Sequence, residues 1–138
     1  MTIQDSARLD SLFEALQKSE FRQKFRLGRQ DFLALKSGGV PVALRHAAAF
    51  IEERLAPANP AKDGMQTPMK GHPVFVAQHA TATCCRRCLL SWHQIESGRP
   101  LVQAEKDYVV AVLKRWLETE LEKNRTPDDP GQLTLLEI

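Results

Sequence analysis

Near its end the chain reads QAEKDYVVAVLKRWLETELEK, and the spacing of the apolar residues there decides the fold class. Tyr108, Val109, Val112, Leu113, Trp116, Leu117 and Leu121 recur at steps of three and four, so they share one face of a helix running from about Gln103 to Lys123. A stripe that broad has to be covered by other parts of the chain. No segment alternates with the period of two that a half-buried strand requires, so the cover must itself be helical. The expected fold is all-α: a single small helical domain with a long irregular loop, a Cys/His-rich pair of short helices and an extended C-terminal tail.

The covering helices are legible in outline. Leu9, Leu12, Phe13 and Leu16 predict a first helix from about Ser6 to Lys18, capped by Asp5 or Ser6. Phe21, Phe25, Phe32 and Leu33 seat one or two short helices broken near Gly28 and ended by Gly38 and Gly39. PVALRHAAAFIEERL follows as a third helix that buries Ala43, Ala47, Phe50, Ile51 and Leu55, with Pro41 in its first turn. Residues 56–73 hold four prolines and two glycines and predict the loop. Residues 74–95 predict two short helices around ATAT, with Thr83 as cap of the second. Residues 1–124 form the expected domain and 125–138 a linker and tail.

At 138 residues the chain can bury a sizeable core, and 43% hydrophobic with 26% charged residues is ordinary for a globular protein. The first residues lack the basic and apolar regions of a signal peptide, and no apolar run has the length of a membrane span. The expected location is therefore the cytoplasm, with no membrane partner, where thiols stay reduced. The net charge of +2 divides unevenly: residues 1–100 carry +5 and residues 101–138 carry −3. A basic body suits an anionic partner.

Chemistry concentrates in HATATCCRRCLLSWH, residues 79–93, which contains every cysteine of the chain and two of its four histidines. Three cysteines, two of them adjacent, do not make a disulfide framework. Thiolate and imidazole are the usual ligands of tetrahedral structural zinc, and Cys85-x-x-Cys88 has the short spacing that aims two ligands at one point. The preferred set is His79, Cys85, Cys88 and His93, with Cys84 and His72 as alternates. One regular helix over 84–95 would set Cys88 and His93 on widely different faces, so His93 as a ligand requires a break. Two other readings stay open. The cysteines are small apolar core groups, or Arg86 and Arg87 activate a thiolate for redox sensing or catalysis. The zinc-deaminase signature is absent, since His79 is followed by Ala80-Thr81 and Thr83 precedes the cysteines.

The run DGMQTPMKGHPVFVAQHATATCCRRCLLSWHQI resembles the core of an uncharacterised bacterial family, domain of unknown function 4186. The similarity extends from about Leu12 to Leu117 and takes in RHAAAFIEERLAP and YVVAVLKRWL. Lys62 and Met65 stand where the family pattern has asparagine and lysine. The resemblance implies a small bacterial protein of about this length; it implies no activity, substrate or cofactor.

The chain ends on GQLTLLEI, in which Gln132, Leu133, Leu135 and Leu136 resemble the bacterial sliding-clamp-binding motif. Leucines that anchor in an apolar cleft, a glutamine amide at its rim and the preceding TPDDPG linker suit an extended peptide dock. Leu136 replaces the commoner phenylalanine. The implied partner is the DNA polymerase sliding clamp (β subunit); the competing reading is a tail packed on its own domain. Arg22, Lys24, Arg26, Arg29, Lys70, Arg86 and Arg87, interleaved in part with phenylalanines, are candidate nucleic-acid contacts, although such patterns also arise on solvated faces. The sequence thus points to a zinc-stabilised cytoplasmic protein recruited to DNA replication or repair sites and contacting DNA. The alternatives are a DNA-processing enzyme using the Cys/His cluster and a thiol-based redox or metal sensor.

Overall fold

The computed structural model of the protein describes residues 3–123, with side chains from residue 6 onward. The linker and tail, including Gln132, Leu133, Leu135 and Leu136, lie outside the described residues. Seven α-helices and no strand are found among those described: α1 (Ile3–Gln17), α2 (Glu20–Gln23), α3 (Arg29–Gly38), α4 (Val40–Phe50), α5 (Pro73–Ala80), α6 (Arg86–His93) and α7 (Gln103–Lys123). The fold is all-α, as the periodicity requires.

Helix α7 uses its stripe on two sides. Val109, Leu113 and Leu117 enter the main core with Ile51, Leu55, Val74, Ala77 and Leu89, while Val112 meets Leu9, Leu12 and Leu16 of α1. Each side chain of this size contributes about 1.5–3 kcal/mol through removal of apolar surface from water. Helix α5 packs against both α4 and α7, which also pack on each other, and its eight residues are all buried. Its sequence, PVFVAQHA, has no charged face to present to water, so burial on every side is the only stable placement.

Two features fix where the chemistry sits. Helix α4 runs on as a single π-helical segment, Ile51–Leu55, closed by the Ala56 N–H donating to the Ile51 carbonyl at 2.8 Å. The carbonyls of Leu55, Ala56 and Pro57 are thereby left at a helix end without further helical partners. The loop after them is held down rather than loose. Asp63 accepts from the Arg86 N–H at 2.9 Å, and the Thr67 hydroxyl donates to the Cys84 carbonyl at 2.8 Å. The loop therefore forms a wall around the cysteine segment. Within it Lys62 takes φ 54°, a left-handed conformation in which asparagine is less strained. No helix among the described residues is long and apolar enough to cross a membrane.

Candidate metal centre

The turn between α5 and α6 is built from buried polar contacts. The Thr81 hydroxyl donates to the Ala77 carbonyl at 2.8 Å, and its oxygen lies 3.0 Å from that of Thr83. Gln78 donates its side-chain N–H to the Thr83 carbonyl at 3.1 Å. These contacts hold Ala82, wholly buried, at φ 60°. Thr83 is thus part of the turn. The cap of α6 is Cys85, extended at φ −157°, whose sulfur accepts from the Cys88 N–H at 3.4 Å.

That cap position converges the three thiols. Cys84 and Cys88 point the same way, with sulfurs 3.8 Å apart, and all three sulfurs lie within 4.8 Å of one another. Tetrahedral zinc with Zn–S bonds of about 2.3 Å needs sulfurs about 3.8 Å apart. The three cysteines therefore stand close to the spacing of a tris-thiolate metal site, and they form the only such group of three or more potential ligands among the described residues. All three line an open cleft of about 450 Å³ together with Phe21, Met69 and Trp92.

The electrostatics centre on Arg22. It is buried, donates to the His79 carbonyl at 2.7 Å, and places its other terminal nitrogen 3.4 Å from the Cys88 sulfur. It makes no ion pair with a carboxylate among the described residues. A buried guanidinium needs acceptors or an anion around it. Arg22 has the single carbonyl of His79 and the faces of Phe21 and Trp92 at 5.0 and 5.7 Å, and the remaining acceptor within reach is the Cys88 sulfur. The contact with Cys88, together with Arg22, holds the Cys84 thiol below its ordinary value. The same contact drives Cys88 up, and burial raises Cys85.

The histidines do not complete a four-ligand set. His79 lines the cleft, but its Nε2 lies 3.1 Å from the carbonyls of both Thr67 and Pro68, and its ring stacks on Phe25. His93 is engaged at both nitrogens, with the Tyr108 hydroxyl at 2.7 Å and the Thr81 carbonyl at 2.9 Å. The regular course of α6 carries it away from the sulfurs into the core. His72 caps α5 by accepting the Val74 N–H on Nδ1, and its Nε2 lies 2.9 Å from Nδ1 of an exposed His46 in a separate cleft. Cys84, held as an alternate, is the residue found grouped with Cys85 and Cys88.

Burial lowers the pKa of His93 from 6.5 to about 4. The unfolded chain then takes up a proton at pH values where the folded one does not. This source of stability is complete above pH 6.5 and is lost as pH falls toward 4, by roughly 2 kcal/mol at pH 5. In chelator-treated protein, where proton competition for the thiols plays no part, urea midpoints at pH 7 and pH 5 should differ accordingly, and His93→Gln should remove most of the difference. Equal pH sensitivity in that variant would assign the acid limb to other groups.

The basic residues separate into three kinds. Arg86 is 1% exposed and turned inward, donating to the carbonyls of Leu55, Ala56, Pro57, Glu96 and Arg99, the shortest at 2.7 Å. Arg22 is likewise buried, at the wall of the cysteine cleft. Arg26 pairs with the buried Glu120 at 2.7 Å, and Arg87 reaches Asp63 at 3.9 Å while lying across Gly64. A side chain at Gly64 would collide with that guanidinium, and its φ of 101° disfavours one in any case. Lys24, Arg29 and Lys70 are exposed.

The model of a protein family described as Domain of unknown function (DUF4186) matches residues 10–118. The chain belongs to this family. The DUF4186 match begins within α1, ends within α7 and takes in the cysteine cluster with both walls of its cleft, leaving residues 119–138 beyond it. No solved structure matches this DUF4186 chain.

Asp63, Thr67 and the inward course of Arg86 escape a reading of the sequence. Only the DG pair at Asp63-Gly64, a turn signal, marks the place.

Proposed function

We propose that this DUF4186 chain is a metal-binding helical module in which Cys84, Cys85 and Cys88 hold one zinc ion, with the fourth coordination position open to the cleft. The observation that carries the reading is Arg22: a buried guanidinium with sulfur, and no carboxylate among the described residues, at hand. Three thiolates on Zn²⁺ leave one net negative charge beside it, which compensates a buried cation that, unlike Arg86 with its five carbonyls, has only one carbonyl acceptor. Three sulfurs with an exchangeable fourth ligand suit thiophilic metals, zinc and copper(I) foremost. One equivalent of zinc per chain should survive dialysis against metal-free buffer. Protein that folds fully and retains no metal rejects the reading.

In the same reading the tail recruits the module to DNA replication or repair sites. Gln132, Leu133, Leu135 and Leu136 engage the sliding clamp, and the exposed cations of the domain contact DNA. The support for clamp docking is the order of residues in QLTLL and the linker before it. Deleting residues 132–138 should abolish clamp binding in a pull-down and leave the melting temperature of the domain unchanged. Undiminished clamp capture after truncation would remove the recruitment role.

A further inference from the structure

Lys24, Arg26, Arg29 and Lys70 are brought together at a cleft of about 570 Å³, although Lys70 belongs to the loop and the other three to the α2–α3 region. Arg26 is committed to Glu120. Lys24, Arg29 and Lys70 have no acidic partner among the described residues, so their charge is available to a ligand. Asp31 is the one acid in the wall of this cleft.

The basic cleft does not stand alone. Met69 lines both it and the cysteine cleft. At this junction Met69 is 59% and Phe21 54% exposed. The Phe21 ring meets Phe25 edge-on at 5.3 Å, and Phe25 stacks on His79 at the same distance. An aromatic platform therefore adjoins a row of unneutralised cations.

We propose that the two adjoining clefts form one path for single-stranded nucleic acid. Backbone phosphates would lie on Lys24, Arg29 and Lys70, and a base would stack at Phe21 against Met69. This rests on the reading that the domain contacts DNA and gives that contact a place and a strand type. A concave row of cations beside an exposed ring is the combination that tracks a flexible backbone and stacks unpaired bases. The phosphates of a duplex lie on a stiff convex surface, and its bases are already stacked, so neither cleft nor ring would be used. An acidic peptide would use the cations and leave the ring idle.

The test is fluorescence anisotropy with the full-length, metal-loaded protein and a labelled oligothymidine, compared with a duplex of equal length and with polyglutamate as competitor. The oligothymidine should bind at least tenfold more tightly than the duplex. Its log–log salt dependence should have a slope of about −2, from three phosphates at about 0.7 each. Lys24→Ala with Lys70→Ala should weaken binding at least tenfold and bring the slope to about −0.7. Phe21→Ala should weaken binding severalfold and leave the slope unchanged. Circular dichroism confirms that these surface variants are folded.

Duplex binding as tight as the single strand overturns the strand assignment and leaves the DNA contact standing. Absence of binding to both overturns the two together. Affinity unchanged by the lysine substitutions removes the assigned cleft. Polyglutamate that competes as well as unlabelled oligothymidine shows that bases play no part and overturns the proposal.

Discussion

Cys88→Ala is expected to abolish metal binding and to lower the unfolding free energy by about 3 kcal/mol or more. Cys88 is only half-buried, so the packing lost with its sulfur is worth less than about 1 kcal/mol. The larger effect comes from coupling. Two remaining thiols no longer hold the ion, and Arg22 stays buried next to sulfurs that have regained their protons. Chelation separates the two contributions. Treatment with a strong chelator should lower the melting temperature of the wild type and leave Cys88→Ala unchanged. Thermal unfolding with and without chelator, together with metal analysis of both proteins, checks this. A variant as stable as the wild type, or a wild type indifferent to chelation, would mean that the sulfurs are merely packed.

The second large effect is expected at Arg86. Its guanidinium gathers five carbonyls, from the end of the π-helical segment at 55–57 and from the turn at Glu96 and Arg99. Burial lowers its pKa, so the site tolerates the charge only because those acceptors solvate it. Arg86→Met keeps much of the volume and removes every donor, so the Leu55, Pro57, Glu96 and Arg99 carbonyls lose this partner, while the Ala56 carbonyl keeps the Leu101 N–H. The expected loss is about 3–5 kcal/mol, seen as a fall in the denaturant midpoint. Arg86→Lys should fall between, because one ammonium cannot span acceptors on two segments. Metal affinity should fall with stability in both variants, since Arg86 is the first residue of the helix that Cys85 caps. A stable Arg86→Met protein would show that water replaces the guanidinium without penalty.

The legible and illegible parts of the molecule divide by the range of the forces involved. The α7 stripe, the stop at Gly38–Gly39 and the core face of α4 follow from spacings within a few residues, and each is found close to where periodicity puts it. Phe50 is only half-buried, because it packs at the edge of the core beside His72 and Phe75. The cysteines were recognisable as a cluster from adjacency alone. Which groups join them was not. His93 is near in sequence, yet the regular helix carries it into the core, where the Thr81 carbonyl and Tyr108 occupy it. Arg22 is distant in sequence and reads as a surface cation, yet α2 delivers it to the sulfurs. Asp63 and Thr67 act across 23 and 17 residues, a separation that no periodic pattern encodes. The same holds for Arg86, whose partners lie on two segments that meet only in the folded chain.

The central claim is a metal held by three sulfurs and no histidine. Zinc-edge X-ray absorption on the purified, dialysed protein measures this directly. The expected spectrum has three sulfur scatterers at about 2.3 Å and one lighter atom at about 2.0–2.1 Å from the exchangeable ligand. Two sulfurs with two imidazoles, or no bound zinc in folded protein, would contradict the account.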